Sequence, residues 1–188
     1  MSIDVGIPWE RYALVCELAG RLADRNDGLF GKTALQKYVY LLQALFGVDC
    51  DYDFPLYTYG PFSADLLGDL DTVEGLGGVR VSYLPAVGGY EIAPGEKSAL
   101  IRHKAAGFLN QAAPKIDQLL ADFGGFSAKD LELRATIVYA DRDARRRRHP
   151  RSEEALVRTV QGIKPHFTTQ TIAGAVRELR RKHYVMLD

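Results

Sequence analysis

Two groups of charged residues in this chain have the type and spacing for recognition chemistry, and their signs are opposite. Asp65, Asp69, Asp71 and Glu74 fall in the stretch between Lys37 and Arg80, which contains no other Lys or Arg. Asp65 and Asp69, one helical turn apart, would share a face. Such a face attracts a basic partner, because opposite potentials speed encounter and charge pairs fix register. In the second group Arg142, Arg145, Arg146, Arg147, Arg148 and Arg151 place six guanidinium groups within ten residues, enough to hold phosphate. Asp141 and Asp143 are interspersed and no aromatic follows to stack a base, so a solvated loop competes with phosphate binding there. Arg181 and Lys182, at the end of the last expected helix, are the other basic candidates.

Catalysis asks for a nucleophile with its base, paired carboxylates of split pKa, or a metal cluster. The chain displays none of these patterns. His103, His149, His166 and His183 lie far apart, and none has ligand spacing with a cysteine or carboxylate. Cys16 sits in a helical apolar pattern and Cys50 in a polar loop, which gives neither a disulfide framework nor metal spacing. Gly28 to Thr33 ends in Gly-Lys-Thr but lacks the first glycine of a phosphate loop and a preceding strand. A non-enzymatic protein with no metal and no cofactor is therefore expected. An enzyme assembled by folding would need His103 or His166 to meet a carboxylate in a pocket.

The elements that must position these groups follow from composition and periodicity. Apolar residues at 47% and charged residues at 26% are globular values. No apolar run approaches the ~18 residues of a membrane span, and Met1 to Pro8 has neither a basic nor an apolar leader region, so a cytoplasmic protein is expected. Net charge is zero, yet residues 1–100 hold 7 Lys and Arg against 14 Asp and Glu, and residues 101–188 hold 17 against 10. Unlike halves of two copies could therefore dock, and a homo-oligomer is compatible with the chain.

Apolar spacing predicts a helix from Trp9 to Arg25, ended by Asn26-Asp27-Gly28. Thr33 with Gln36 reads as a capping box opening a second helix that stops near Gly47. Asp51 to Tyr59 reads as extended, and Gly60 turns the chain into a third helix with Pro61 at its first position and its end near Leu76. Two strands follow, Val79 to Tyr83 and Gly89 to Ile92. Three helices and a hairpin are the winged-helix order, but the would-be recognition helix offers carboxylates and no cation, which disfavours duplex binding through it. Helical patterns then run from Lys97 to about Phe123, broken before Pro114, and restart behind caps at Ser127, Ser152 and Thr168, with a polar segment from Asp141 to Arg151. The expected fold is mainly α with a small β-hairpin, an α+β arrangement. Residues 1–94 would form a winged-helix-like half and residues 95–188 a helical half packed on it as one compact unit.

Three motifs carry a resemblance. The helix Lys32-Thr33-Ala34-Leu35-Gln36-Lys37 continues through Tyr40 and is followed by Tyr59-Gly60-Pro61-Phe62-Ser63; Leu131 to Ile137 and Lys164 to Thr168 come later. Together they resemble the YwgA-like family of small bacterial proteins. More distantly, that helix and the Tyr59-Gly60-Pro61 turn are similar to Panacea (SocA-type) antitoxin domains and to the C-terminal domain of DarG antitoxins. The resemblance implies binding without catalysis, in an antitoxin, phage-defence or mobile-element setting. The partner would be a toxin or nuclease with a basic surface, met as a nucleic-acid mimic. The expected contact surface, read from the residues themselves, combines Lys37, Tyr40, Tyr59, Gly60, Pro61 and Phe62 with Asp65, Asp69 and Glu74. Tyr38, Tyr40, Tyr57 and Tyr59 are also the residues that would wedge a helix junction as scaffold. The alternative is a winged-helix transcriptional regulator that binds DNA through the basic C-terminal half, at Arg145, Arg146, Arg147, Arg148, Arg181 and Lys182.

Overall fold

A computed structural model describes residues 6–23 and 30–188. The expected end of the first helix at Asn26-Asp27-Gly28, and Gly28-Leu29 of the Gly-Lys-Thr segment, lie outside the described residues. Among the described residues the order is α1 (Trp9–Ala23), α2 (Lys32–Phe46), β1 (Leu56–Tyr57), β2 (Gly60–Pro61), α3 (Ala64–Gly75), β3 (Val79–Leu84), β4 (Gly89–Pro94) and α4 (Ser98–Lys104). Then come α5 (Ala106–Phe123), α6 (Ala128–Arg147), α7 (Glu153–Ile163) and α8 (Thr169–Arg181). The fold is mainly helical with two small antiparallel hairpins, β1 with β2 and β3 with β4. No helix of the described residues is long and apolar enough to cross a membrane.

The core is built around α1 and α2. Leu14, Val15, Cys16, Leu18 and Ala19 of α1 are fully buried, as are Val39, Leu41 and Leu42 of α2. α2 packs against α5 and α6, and α1 against α3, α4 and β4, so one hydrophobic cluster joins the N-terminal and C-terminal elements. Three helices followed by the β3–β4 hairpin are present in the expected order, with the additional β1–β2 hairpin between α2 and α3. Val79 pairs with Pro94 and Leu84 with Gly89 across β3–β4.

Several boundaries depart from expectation for identifiable reasons. α2 starts behind Gly31 without any side-chain cap, because Gln36 is turned away from the helix end to bond Ser63. Pro61 does not open α3. It pairs with Leu56 in β2, and Ser63 caps the helix by accepting from the Leu66 N–H. The break in the fourth helical region falls at Ala105, and Pro114 lies within α5. α6 runs on to Arg147, so most of the arginine cluster is helical rather than a loop, and Arg148 ends it in the left-handed conformation at φ 57°. Ser127, Ser152 and Thr168 cap α6, α7 and α8 as their sequences require, each accepting a backbone N–H of the first turn.

Candidate functional site

The three sequence motifs meet at one buried polar cluster beneath the β1–β2 hairpin. A two-residue pairing leaves carbonyls of the tight turn without strand partners, and a buried carbonyl left unmet costs about 1–3 kcal/mol. Two lysines satisfy them. Lys37 of α2 donates from Nζ to the Pro61 carbonyl at 2.8 Å. Lys164, at the end of α7, donates to the Thr58 carbonyl and pairs with Glu132 of α6 at 2.5 Å. Gln36 grips the exit of the hairpin in both directions, donating to the Ser63 carbonyl and accepting from the Ser63 N–H, each at 2.8 Å. Gly60 has φ 86°, and a Cβ there would stand 2.8 Å from Thr136 Oγ1, so the glycine is required both by its backbone and by the closeness of α6.

Burial of the cluster sets its electrostatics. Lys37 is 2% exposed, and burial is the largest influence on its amine, which is pushed down to about 8; Glu132 acts the other way and Lys164 reinforces the fall. His166 lies 4.0 Å from the Glu132 oxygen that Lys164 already holds, beyond hydrogen-bonding distance.

This geometry corrects part of the expected contact surface. Lys37 is interior at 2% exposure, and Tyr40, at 7%, lines a cleft between α2 and α6 rather than the hairpin surface, so neither adds to that surface. Gly60 and Pro61 are buried too. Lys37 and Pro61 belong to the clamp, and Tyr40 packs on Phe54. What the clamp presents is the turn above it. Tyr57 and Tyr59 are 66% and 64% exposed, and Phe62 is half-buried against Tyr57, with ring centroids 5.8 Å apart.

The acidic helix is also thinner than its sequence. Asp65 and Asp71 are exposed. Asp69 turns inward, because α3 packs on α1: its carboxylate takes Arg11 Nε and the Tyr52 hydroxyl, each at 2.6 Å. Arg11 also stacks on the Tyr52 ring at 4.1 Å, while burial and the Asp69 carboxylate push the Tyr52 phenol upward. Glu74 remains exposed but accepts the Val81 N–H at 3.0 Å, bracing α3 to β3.

Among the basic candidates, Arg145, Arg146, Arg147 and Arg148 are exposed. Asp143 pairs with Arg146 at 2.6 Å and Arg147 at 2.9 Å, and these two hydrogen bonds hold its carboxyl below the usual range. Arg181 is exposed, and Lys182 reaches back to Asp122 at 2.7 Å. Arg151 turns away from the cluster to Asp188. Beside the cluster the fold places aromatic rings that precede the arginines in sequence instead of following them. Tyr139 precedes Arg142 by one helical turn and faces Tyr40 across the α2–α6 contact. Among the described residues no group of three or more His, Cys, Asp and Glu side chains is placed to share a metal ion.

No protein-family model matches this chain, and no curated protein matches it.

Proposed function

We propose that this chain is a non-enzymatic protein-interaction protein, YwgA-like and antitoxin-like in kind, that meets a basic protein partner through the tip of its β1–β2 hairpin. The contact surface consists of Tyr57, Tyr59 and Phe62 with the exposed carboxylate of Asp65, in the first turn of α3 that follows the hairpin. One observation carries this: two large tyrosines stand about two-thirds exposed on a turn whose carbonyls are tied down by two buried lysines. Exposed aromatics on a preorganised turn fit the anchor role, because little conformational freedom is lost when they enter a pocket. A toxin or nuclease with a cationic nucleic-acid channel is the partner class such a tip with neighbouring carboxylates would suit.

The test is capture of the partner by wild-type protein and by the Tyr57→Ser/Tyr59→Ser and Asp65→Lys variants. Loss of an aromatic anchor costs about 2 kcal/mol, roughly thirtyfold in Kd. The variants should release a basic protein that the wild type retains, with thermal unfolding unchanged. Undiminished capture by the double tyrosine variant would reject the tip as the contact surface.

As a second function we propose nucleic-acid contact through the end of α6. It is favoured by the exposure of Arg145, Arg147 and Arg148 at the last turn of that helix. Arg147→Gln/Arg148→Gln should then weaken a salt-sensitive association, and a mobility shift that ignores those changes would reject it.

A further inference from the structure

Between the C-terminal half of α2, the 52–55 segment and α6 lies a cleft of ≈ 520 Å³. One wall is aromatic. Tyr40 meets Phe54 edge-on at 5.4 Å and Tyr139 at a tilt, with centroids 6.4 Å apart. The other wall carries Arg142 and Arg146. Arg142 donates one N–H to the Ala44 carbonyl and makes no other hydrogen bond among the described residues, so most of its guanidinium is unused. Arg146, with a side chain 73% exposed, leans on Asp143.

Tyr40 is the informative member. Its ring is buried, its hydroxyl makes no hydrogen bond among the described residues but is not sealed from solvent, and the residue lines this cleft. An occupant of the cleft can therefore accept from it. A group that accepts from a phenol and from two guanidinium groups is an oxyanion, and guanidinium forks match phosphate oxygens. Asp53 and Asp143 also line the cleft, which opposes a bare anion. A ligand that adds an aromatic ring gains the Tyr139 face as well, and base–aromatic stacking contributes about 1–3 kcal/mol. A phosphate attached to a flat ring system is a nucleotide. In a duplex the base faces are stacked away, whereas a single strand exposes them. Past the cleft, Arg145, Arg147 and Arg148 continue along the exposed end of α6.

We propose that this cleft seats one nucleotide of a single-stranded nucleic acid, with its phosphate on Arg142, Arg146 and the Tyr40 hydroxyl and its base against Tyr139. The exposed arginines at the end of α6 then follow the neighbouring phosphates. This rests on the second function proposed above, nucleic-acid contact through α6, and is independent of the hairpin tip.

Fluorescence anisotropy with a labelled oligothymidylate, the same strand annealed to its complement, and thymidine monophosphate as competitor tests it. The single strand should bind at least about tenfold tighter than the duplex. Arg142→Gln should lower the log–log salt slope by about 0.7, one single-strand phosphate contact. Tyr40→Phe removes only a hydroxyl that bonds nothing in the protein, so it should fold normally and weaken the oligonucleotide about threefold or more. Arg147→Gln/Arg148→Gln should weaken single strand and duplex alike. If that last variant loses binding while Tyr40→Phe and Arg142→Gln retain it, the cleft is overturned and contact through α6 stands. If the wild type binds neither strand nor duplex, both fall. Displacement by the free monophosphate at concentrations similar to the oligonucleotide would overturn the assignment to a polymer.

Discussion

Replacing Lys37 by methionine separates a buried clamp from a surface contact, because the two roles predict different pH behaviour. Burial lowers the amine of Lys37 from 10.5 to about 8. At neutral pH the folded protein therefore carries a charged group disfavoured by about 3 kcal/mol relative to the unfolded chain. The folded-state value lies below the unfolded one, so between them the unfolded chain binds more protons and stability rises with pH. Between about pH 7 and about pH 10 the wild type should gain about 2.5 kcal/mol from this residue alone. Methionine fills a similar volume and cannot titrate, but it leaves the Pro61 carbonyl without its donor, a cost of about 1–3 kcal/mol. Near neutrality the two effects oppose each other and the variant should lie within about 2 kcal/mol of wild type. In alkali the wild type should pull ahead by the further 2.5 kcal/mol or so, since the relief exists only for the lysine. Urea unfolding followed by far-ultraviolet circular dichroism at several pH values gives both curves, and their difference cancels every other titrating group. A difference that stays flat within about 0.5 kcal/mol across that range would refute the burial assigned to Lys37.

Three further outcomes follow from the same packing. Glu132→Gln leaves the buried Lys164 ammonium without its counter-charge and should cost about 3–5 kcal/mol, read by urea unfolding; adding Lys164→Met to it should recover only part of that loss, since the Thr58 carbonyl then lacks its donor. Gly60→Ala must place a Cβ 2.8 Å from Thr136 Oγ1 at φ 86°, and it should lower stability by more than about 1 kcal/mol; combining it with Thr136→Ala should restore only part, because the backbone term remains. Asp141 is buried with one carboxylate oxygen unpartnered, and burial raises its pKa although Arg151, Arg145 and Arg142 oppose the rise. A raised folded value means that stability is lost as pH climbs through it. Asp141→Asn should therefore raise Tm at neutral pH and lose that advantage in acid, as calorimetry at two pH values will show.

Helix positions and stops were readable because they are local. Ser127, Ser152 and Thr168 cap the helices they precede, Gly47 ends α2 at φ 61°, and the strands of the β3–β4 hairpin lie where their alternation put them. Most of the misses are tertiary. Thr33 and Gln36 have the capping-box spacing, but the Gln36 amide reaches a backbone 27 residues away, and a bidentate partner outcompetes a single cap. Asp65 and Asp69 share a helix face by spacing alone, yet the position of α1 decides which of them sees solvent. The charge of the arginines hides the helical periodicity that carries α6 to Arg147, and Tyr139, the aromatic that stands by them, precedes the cluster by one turn instead of following it. The lysines of the motifs were legible as charges, and charge ordinarily marks a surface. Only the pairing of distant carbonyls with both amines reveals them as interior.

Why a small hairpin is held by buried ammonium groups rather than by apolar packing bears on what the tip can do. Two pairs of strand residues cannot stabilise themselves in water. An apolar underside would leave the Thr58 and Pro61 carbonyls unmet, and it would tolerate a hairpin sliding by a residue, since hydrophobic contact has no direction. Lysine Nζ groups aimed at two named carbonyls make one register far better than its neighbours, which is the role for which buried polar groups are best attested. The cost is the neutral-pH penalty on Lys37. In return, α2, α6 and the end of α7 all hold the same turn, so Tyr57 and Tyr59 are presented in one geometry. Loosening the clamp should accordingly weaken partner capture even though no clamp residue reaches the surface. Glu132→Gln protein, still folded at low temperature, should bind the partner less tightly than its melting curve alone explains. Equal affinity of the folded variant and the wild type would separate the tip from the clamp and leave the lysines a purely structural role.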